Sequence, residues 1–134
     1  MELIGESEFS LHGLVRVLED AYMDVDTSDA GRLAVDVGGS RVVVFYEDEK
    51  KMMTFVSMWK FKPNSQHAQL EVVNQLNSEL ILVRFTARLD SNILWCDQQV
   101  LIKGGVNSRW LIHSLKRFGE VCAGAVKLKS EYFE

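Results

Sequence analysis

The side chains that most often bind metals or act as nucleophiles are scattered along this chain. His12, His67 and His113 lie in three separate predicted helices, and none has a second histidine or a cysteine at the spacing of a zinc site. Cys96 and Cys122 form no CxxC pair and have no histidine nearby in sequence. We interpret both cysteines as small buried hydrophobic residues, and we predict neither a metal site nor a catalytic site.

The sequence also lacks the pattern of a phosphate or cofactor site. No serine stands in a GxSxG turn, which is the setting of a hydrolase nucleophile. Lys103, Gly104 and Gly105 precede a predicted helix and could present backbone N–H groups to an anion. This stretch has the spacing of neither a P-loop nor a dinucleotide fingerprint. We interpret the two glycines as a turn and predict no cofactor.

Two arginines and a tryptophan stand on neighbouring predicted strands. Arg84, Arg88 and Trp95 share one face, as basic and aromatic residues do on platforms that bind single-stranded nucleic acids. Asp97 shares that face, however, and the sequence pI is about 5.4, whereas nucleic-acid binders are usually basic. A cation–π contact between Arg88 and Trp95 explains the same residues, so nucleic-acid binding is the less favoured interpretation.

Residues 52–61 are apolar on both faces of a predicted strand. A sheet that is covered by helices on one face only would leave some of these side chains exposed, and exposed patches with methionines commonly bind proteins. The alternative is that helices cover both faces. The candidate partner-binding residues are Met58, Trp59, Phe61, Arg84, Arg88 and Trp95.

The length and composition are those of one globular domain. The chain has 134 residues, of which 47% are hydrophobic and 25% charged, with a net charge of −4. No repeat or linker interrupts it, so we predict a single domain over residues 1–134. The first residues lack the basic and apolar regions of a secretory signal, and no apolar run reaches membrane-spanning length. We therefore expect a cytoplasmic protein without a membrane segment.

Apolar residues spaced by three and four positions predict three helices. The predicted caps are Ser7 for the first helix, Asn64 or Ser65 for the second, and Asn107 or Ser108 for the third. The predicted buried stripes are Phe9, Leu11, Leu14, Val15, Leu18 and Tyr22; Leu70, Val73, Leu76 and Asn77; and Leu111, Leu115, Phe118, Cys122 and Ala125.

Strand patterns are found at residues 32–37, 41–46, 52–61, 80–89 and 93–102. Gly38 and Gly39 predict a tight hairpin between the first two strands, because the favoured hairpin turns need positive φ. Polar residues 24–31 predict a loop, and Pro63 ends the third strand. The order of elements is α-β-β-β-α-β-β-α, which predicts an α+β fold with one antiparallel five-stranded sheet and three helices.

The last predicted hairpin has two candidate registers. A two-residue turn at Ser91-Asn92 places Phe85 opposite Gln98 and gathers Arg84 and Arg88 with Trp95 on the other face. A three-residue turn would place Asp97 opposite Phe85 and bury polar groups beside apolar ones. We therefore predict the two-residue turn.

Several short stretches together resemble the bacterial YbjN family. The pair Asn74 and Asn77 near the end of the middle helix, followed by Arg84 before Phe85 on the next strand, carries much of the likeness. The turn at residues 90–92 and Gly104-Gly105-Val106 complete it, and the resemblance covers most of residues 8–126.

The resemblance implies a fold like that of the type III secretion chaperones, which bind an extended client segment and dimerise. Family members are described as sensory transduction regulators without an established enzymatic activity. The motif residues Asn74, Asn77, Arg84, Phe85, Gly104 and Gly105 are interpreted as structural. Asn74 and Asn77 would bond free carbonyls at the helix end, and Arg84 would reach one of these groups.

Two hypotheses of function follow. The leading one is a non-enzymatic interaction module, regulatory or chaperone-like, that binds a protein partner through an exposed sheet face or a helix groove. The partner would be a client segment or a second copy in a homodimer. The alternative is a small-ligand sensor or enzyme with a pocket between the helices and the sheet.

Overall fold

A computed structural model describes residues 3–28, 31–63 and 66–134. These ranges contain three helices, α1 (Leu11–Asp20), α2 (Gln66–Glu79) and α3 (Ser108–Leu128), and a 3₁₀ turn at Ser130–Tyr132. The strands are β1 (Leu3–Ile4), β2 (Val25–Asp26), β3 (Arg32–Val37), β4 (Ser40–Glu47), β5 (Met52–Lys60), β6 (Arg84–Arg88), β7 (Ile93–Leu101) and β8 (Val106–Asn107). None of the helices in these ranges is long and apolar enough to cross a membrane.

The described strands form two antiparallel sheets rather than one. The main sheet has six strands in the order β2-β3-β4-β5-β7-β6, and β1 pairs with β8 separately. The expected five strands are all present as β3 to β7, but the predicted five-stranded sheet was wrong in omitting β1, β2 and β8. Each of these has two residues, which is too short for an alternating hydrophobic pattern to be recognised.

The helices pack on one face of the main sheet. Helix α1 contacts β2 and β3, α3 contacts β3, β4 and β5, and α2 contacts β6. On this helix face, cross-strand neighbours such as Val44 and Phe55 are buried, and the Phe55 ring lies 5.6 Å from that of Phe118 in α3. Side chains alternate along each strand, so the remaining residues point the other way.

We call this other side of the main sheet the open face. Among the described residues no helix covers it. The open face is formed by alternate residues of each strand, including Val43, Phe45, Thr54, Val56, Met58, Arg84, Thr86, Arg88, Trp95 and Asp97. Of the two arrangements considered from the sequence, the structure has the one in which helices cover a single face.

Helix α1 begins three residues later than predicted. The Ser10 hydroxyl, not that of Ser7, accepts a 3.0 Å hydrogen bond from the Gly13 N–H and caps the helix. Tyr22 was predicted to be part of the buried stripe, but it follows the helix end with φ 62° and is 98% exposed. The stripe is therefore shorter, with Leu14 and Leu18 as its buried residues in the helix.

The buried stripe of α2 also differs from the prediction. Its buried residues are Gln69, Val72 and Leu76, whereas Leu70 is half exposed. The Gln69 side-chain amide donates a 2.7 Å hydrogen bond to the Asn92 side-chain oxygen, which satisfies one end of a polar group in the core. The stripe was missed because its first buried residue, Gln69, is polar, and the prediction followed apolar residues only. The predicted caps Asn64 and Ser65 lie outside the described residues.

The hairpin of β6 and β7 differs from both predicted registers. Phe85 pairs with Cys96 and Arg88 with Ile93, which leaves a four-residue connection in which Asn92 has φ 56°. The strand also begins at Arg84, not Leu80, because the preceding Leu82 takes φ 71° and turns the chain. The register differs by two residues from the preferred prediction. An even shift keeps the faces, so Arg84, Arg88 and Trp95 lie together as expected.

Three further predictions were confirmed. Gly38 and Gly39 have φ values of 61° and 86°, and they join Val37 to its partner Ser40 in a tight hairpin. The Asn107 side chain caps α3 by accepting hydrogen bonds from the N–H groups of two following residues. The whole predicted stripe of α3, from Leu111 to Ala125, is buried.

Candidate protein-interaction surface

The middle of the open face is a row of cross-strand neighbours. Val43 of β4 lies beside Val56 of β5, which lies beside Asp97 of β7 and then Arg84 of β6. Val56 and Asp97 are buried although no helix of the described ranges lies over them. Asp97 is in contact with the larger side chains of Arg84 and Trp95.

The carboxylate of Asp97 organises the β6–β7 side of this face. Arg84 donates to it twice, from Nε at 3.0 Å and from Nη2 at 2.8 Å, and the Trp95 indole N–H donates at 3.0 Å. These bonds satisfy a charge whose side chain is only 8% exposed. The hydrogen bonds and charge of Asp97 raise the pKa of Arg84. Arg84 therefore stays cationic while its side chain remains 69% exposed.

Arg88 completes the arrangement by lying over the ring of Trp95. Its guanidinium carbon is 4.3 Å from the ring centroid, so the predicted cation–π contact is confirmed. We call Arg84, Arg88, Trp95 and Asp97 the arginine–tryptophan cluster. Its interactions hold the planes of the Trp95 indole and the Arg84 guanidinium in place.

The β3–β4 side of the open face has a second set of ion pairs. Arg41 lies 2.9 Å from Asp26 and 3.4 Å from Asp36. Arg41 and Asp26, together with Val43 and Met58, line a shallow depression of about 220 Å³. Asp26 had no predicted role, because it lies on β2, which the sequence pattern did not reveal.

The candidate residues from β5 separate onto the two faces. Met58 lies on the open face and is 51% exposed. Trp59 points to the helix face and packs against the core. Phe61 is buried, with its ring 4.8 Å from that of Phe133 near the chain end. The structure therefore brings Met58 together with the arginine–tryptophan cluster, and it places Trp59 and Phe61 elsewhere.

The comparisons with known proteins agree on one family. The sequence model of the YbjN family, described as "Putative bacterial sensory transduction regulator", matches residues 10–127. The chain belongs to the YbjN family. The crystal structure of YbjN from E. coli, described as "a putative transcription regulator", superposes with a TM-score of 0.77 at 14% sequence identity, covering 94% of this chain and 96% of that one. At this identity the likeness shows the fold. No functionally curated protein matches the sequence.

The two asparagines of the YbjN-like motif have different surroundings. The Asn77 side chain donates a 2.9 Å hydrogen bond to the Phe85 carbonyl and accepts a 3.0 Å bond from the Phe85 N–H. Asn74 lies on the exposed side of α2. We expected Asn74 and Asn77 to bond free carbonyls at the helix end and Arg84 to reach one of these groups. Asn77 instead bonds the backbone of β6, and Arg84 bonds Asp97.

The glycines of the YbjN-like motif form a turn against the first strand. The Gly104 N–H donates a 3.0 Å hydrogen bond to the Glu6 carboxylate, so the chain itself provides the anion at this turn. Gly105 has φ 94°, and a Cβ there would lie 2.9 Å from the Ile4 carbonyl oxygen. Both observations fit the structural role expected for these residues.

The described residues of this YbjN-family chain include no group of three or more histidine, cysteine or acidic side chains that could hold a metal ion. Cys96 and Cys122 are free and buried between β7 and α3. The pKa of the Cys96 thiol is raised, mainly by a hydrogen bond with Cys122 and also by burial. A raised pKa disfavours the nucleophilic thiolate.

Proposed function

We propose that this YbjN-family chain is a non-enzymatic cytoplasmic regulator that binds a protein partner through the open face. The observation that supports this most is the placement of the helices on one side of the main sheet, which leaves Met58 and the arginine–tryptophan cluster uncovered. A half-exposed methionine beside an ordered tryptophan is a composition common at protein interfaces.

The charges of the open face indicate what the partner would offer. Arg84 keeps most of its side chain in solvent although its guanidinium is bonded to Asp97, and Arg88 presents its charge over Trp95. An apolar side chain placed against Met58, with carboxylates near Arg84 and Arg88, would complement this surface. A client segment of such composition would make the role chaperone-like. A regulated protein would make it regulatory.

A protein partner is better supported than a nucleic acid. The E. coli relative is described as "a putative transcription regulator", and such a role can be exercised through proteins as well as through DNA. On the open face Asp97 already engages Arg84, and Asp26 and Asp36 engage Arg41. The chain also has a net charge of −4, whereas phosphate binding needs an excess of basic side chains.

The small-ligand alternative is less well supported. A cleft of about 420 Å³ lies between α1 and β2–β3, with apolar residues such as Leu11 and Val15 in its lining. Its polar residues, His12, Glu19, Thr27 and Arg32, are all exposed. A ligand site more often has convergent, partly buried polar groups.

Affinity capture with matched variants tests the proposal. The wild-type protein, Met58→Asp and Leu70→Asp would each be immobilised and exposed to lysate of the source bacterium, with captured proteins quantified by mass spectrometry. Leu70 is a suitable control because it is also half exposed but lies on α2, on the helix side. We expect at least about a tenfold loss of the wild-type partner with Met58→Asp only, because a buried unpaired carboxylate opposes binding.

Light scattering on the same three proteins shows whether that partner is a second copy. A wild-type dimer that Met58→Asp converts to monomer would make the open face a homodimer interface. A partner set that is identical for all three proteins, together with an unchanged oligomeric state, would contradict the proposal.

A further inference from the structure

Strand β7 is longer than the neighbour that covers it. β6 pairs with residues 93–97 of β7, from Ile93 opposite Arg88 to Asp97 opposite Arg84. Before Arg84 the chain turns away at Leu82, which has φ 71°. On this side of the sheet no strand of the described ranges lies beside residues 98–101.

The alternation of backbone hydrogen bonds shows which groups face this gap. The N–H of Ile102 donates to the Lys51 carbonyl at 2.7 Å, which is on the β5 side. Even-numbered residues of β7 therefore direct their N–H and C=O groups towards β5, and odd-numbered ones towards β6. Gln99 and Leu101 follow Asp97 in this series, so their backbone groups point into the gap.

The β6 edge supports the same assignment and provides a contrast. Phe85, opposite Cys96, directs its backbone away from β7, and the Asn77 side chain bonds both its N–H and its C=O. At Phe85 the outer edge of the sheet is thus closed by a side chain. Gln99 and Leu101 have no corresponding closure among the described contacts, and an unpaired edge readily pairs with another chain.

A groove accompanies this free edge. It has a volume of about 470 Å³ and lies between the end of β7 and one side of α3. Leu82 and Leu101, which are exposed, and the half-exposed Trp110 give it an apolar character. Arg117 is the charged residue in its lining. The groove therefore offers strand-pairing groups, apolar contact and one positive charge.

We propose that residues 98–101 accept an extended segment of another protein as an added antiparallel strand. Segment residues opposite Gln99 and Leu101 would exchange hydrogen bonds with them, and their side chains would lie on the open face beside Leu101. The intervening side chains would point towards α3. The positive Arg117 favours an acidic side chain there, whereas the residues opposite Gln99 and Leu101 would be apolar.

A second copy of the chain is a poorer occupant. In an antiparallel pairing of two β7 edges, each strand would meet Arg84 of the other copy beyond these four residues, because β6 covers residue 97. A flexible segment has no such obligation, since it can leave the sheet at either end. The edge at residues 98–101 lies away from Met58, which pairs with Trp95, so this proposal can hold whether or not a partner binds at Met58.

The probe is a fluorescein-labelled hexapeptide with blocked termini, in which valine alternates with glutamate. Its binding to the intact protein is measured by fluorescence anisotropy. In the proposed pairing the valine N–H groups face β7 and the glutamate N–H groups face solvent. We expect N-methylation of the valines to weaken binding at least about tenfold and N-methylation of the glutamates to leave it unchanged.

Two variants at one position test the edge from the protein side. Gln99→Pro removes the outward N–H without removing a bond to β5, since proline is tolerated at strand edges. Gln99→Thr keeps that N–H and serves as the control. We expect Gln99→Pro to lose at least about tenfold in affinity and Gln99→Thr to bind as the wild-type does.

The charge preference gives an independent check. Lysine in place of glutamate should weaken binding to the wild-type protein, and Arg117→Glu should reverse that order. Met58→Asp should bind the peptides normally, which separates the β7 edge from the Met58 region of the open face. The proposal is overturned if no peptide of the set binds, if both N-methylated forms bind alike, or if Gln99→Pro abolishes a dimer without affecting peptide binding.

Discussion

Asn77 takes the place of a neighbouring strand for one residue of β6. Its side-chain amide has the same donor and acceptor pair as a peptide group, and both are used on Phe85, with distances of 2.9 and 3.0 Å. Phe85 is buried, so its backbone groups would otherwise lack partners in a site that water reaches poorly. One amide side chain on α2 thereby joins that helix to the sheet edge.

The contribution of Asn77 can be measured against a control from the same helix. Asn77→Ala removes both bonds to Phe85, and we expect it to lower the free energy of unfolding by about 1–3 kcal/mol. Asn74→Ala should change it by less than about 0.5 kcal/mol, because Asn74 is exposed. Urea denaturation followed by tryptophan fluorescence provides the values. Equal losses for the two variants would contradict a specific role for Asn77.

At the scale of elements, α3 and the β3–β4 hairpin pack unusually closely. A Cβ added at Gly119 would overlap the Val37 carbonyl oxygen, and one at Gly38 would lie 2.6 Å from the Glu120 nitrogen. The Ser40 hydroxyl donates a 2.6 Å hydrogen bond to the Gly119 carbonyl across the same contact. Close packing at this point sets the distance between α3 and the sheet.

Replacing two glycines of α3 with alanine should change the free energy of unfolding in opposite directions. Gly119→Ala requires α3 to move from the hairpin, so we expect a loss of about 1–3 kcal/mol in the free energy of unfolding. A Cβ at Gly124 meets nothing within 4 Å, and Gly124→Ala should add about 0.5–1 kcal/mol through helix propensity. Thermal denaturation of both variants checks this. A stabilised Gly119→Ala would show that the contact is looser than described.

The elements also show what the sequence could predict. The helical spacing of apolar residues identified the α3 stripe, and the two glycines identified the Gly38-Gly39 hairpin. Both patterns act through local backbone preferences. The predicted start of β6 was too early, because the apolar residues around Leu82 suggested a longer strand. Leu82 has a positive φ that is imposed by tertiary structure and cannot be predicted from the residue type. The arginine–tryptophan cluster was grouped correctly by face. The hydrogen bonds of Arg84 and Trp95 to Asp97, and the absence of a helix over the open face among the described residues, depend on tertiary packing. Local sequence patterns do not contain this information.

At the scale of the whole molecule, one continuous core joins the helices to the main sheet. Cys96 on β7 and Cys122 on α3 are both fully buried in it. The hydrogen bond between these thiols and their burial raise the pKa of Cys96, which suppresses the reactive thiolate. Modification of either thiol therefore requires β7 and α3 to separate.

Thiol reactivity should consequently report on global unfolding. We expect Ellman's reagent to leave Cys96 and Cys122 unmodified in the native protein and to titrate both in denaturing urea. A Ser78→Cys variant, with its new thiol at an exposed position of α2, should react at once and serves as the positive control. Rapid labelling of a native cysteine would reveal local opening between β7 and α3.

The one-sided arrangement of helices divides the sheet into two surfaces with different evolutionary freedom. Substitutions on the helix face disturb a shared core, whereas many on the open face, such as those at Met58 or Arg88, cost little in folding free energy. A family can therefore keep its scaffold while the residues of the open face change between members. Two members that share 14% of their residues and superpose with a TM-score of 0.77 are what such separation would produce.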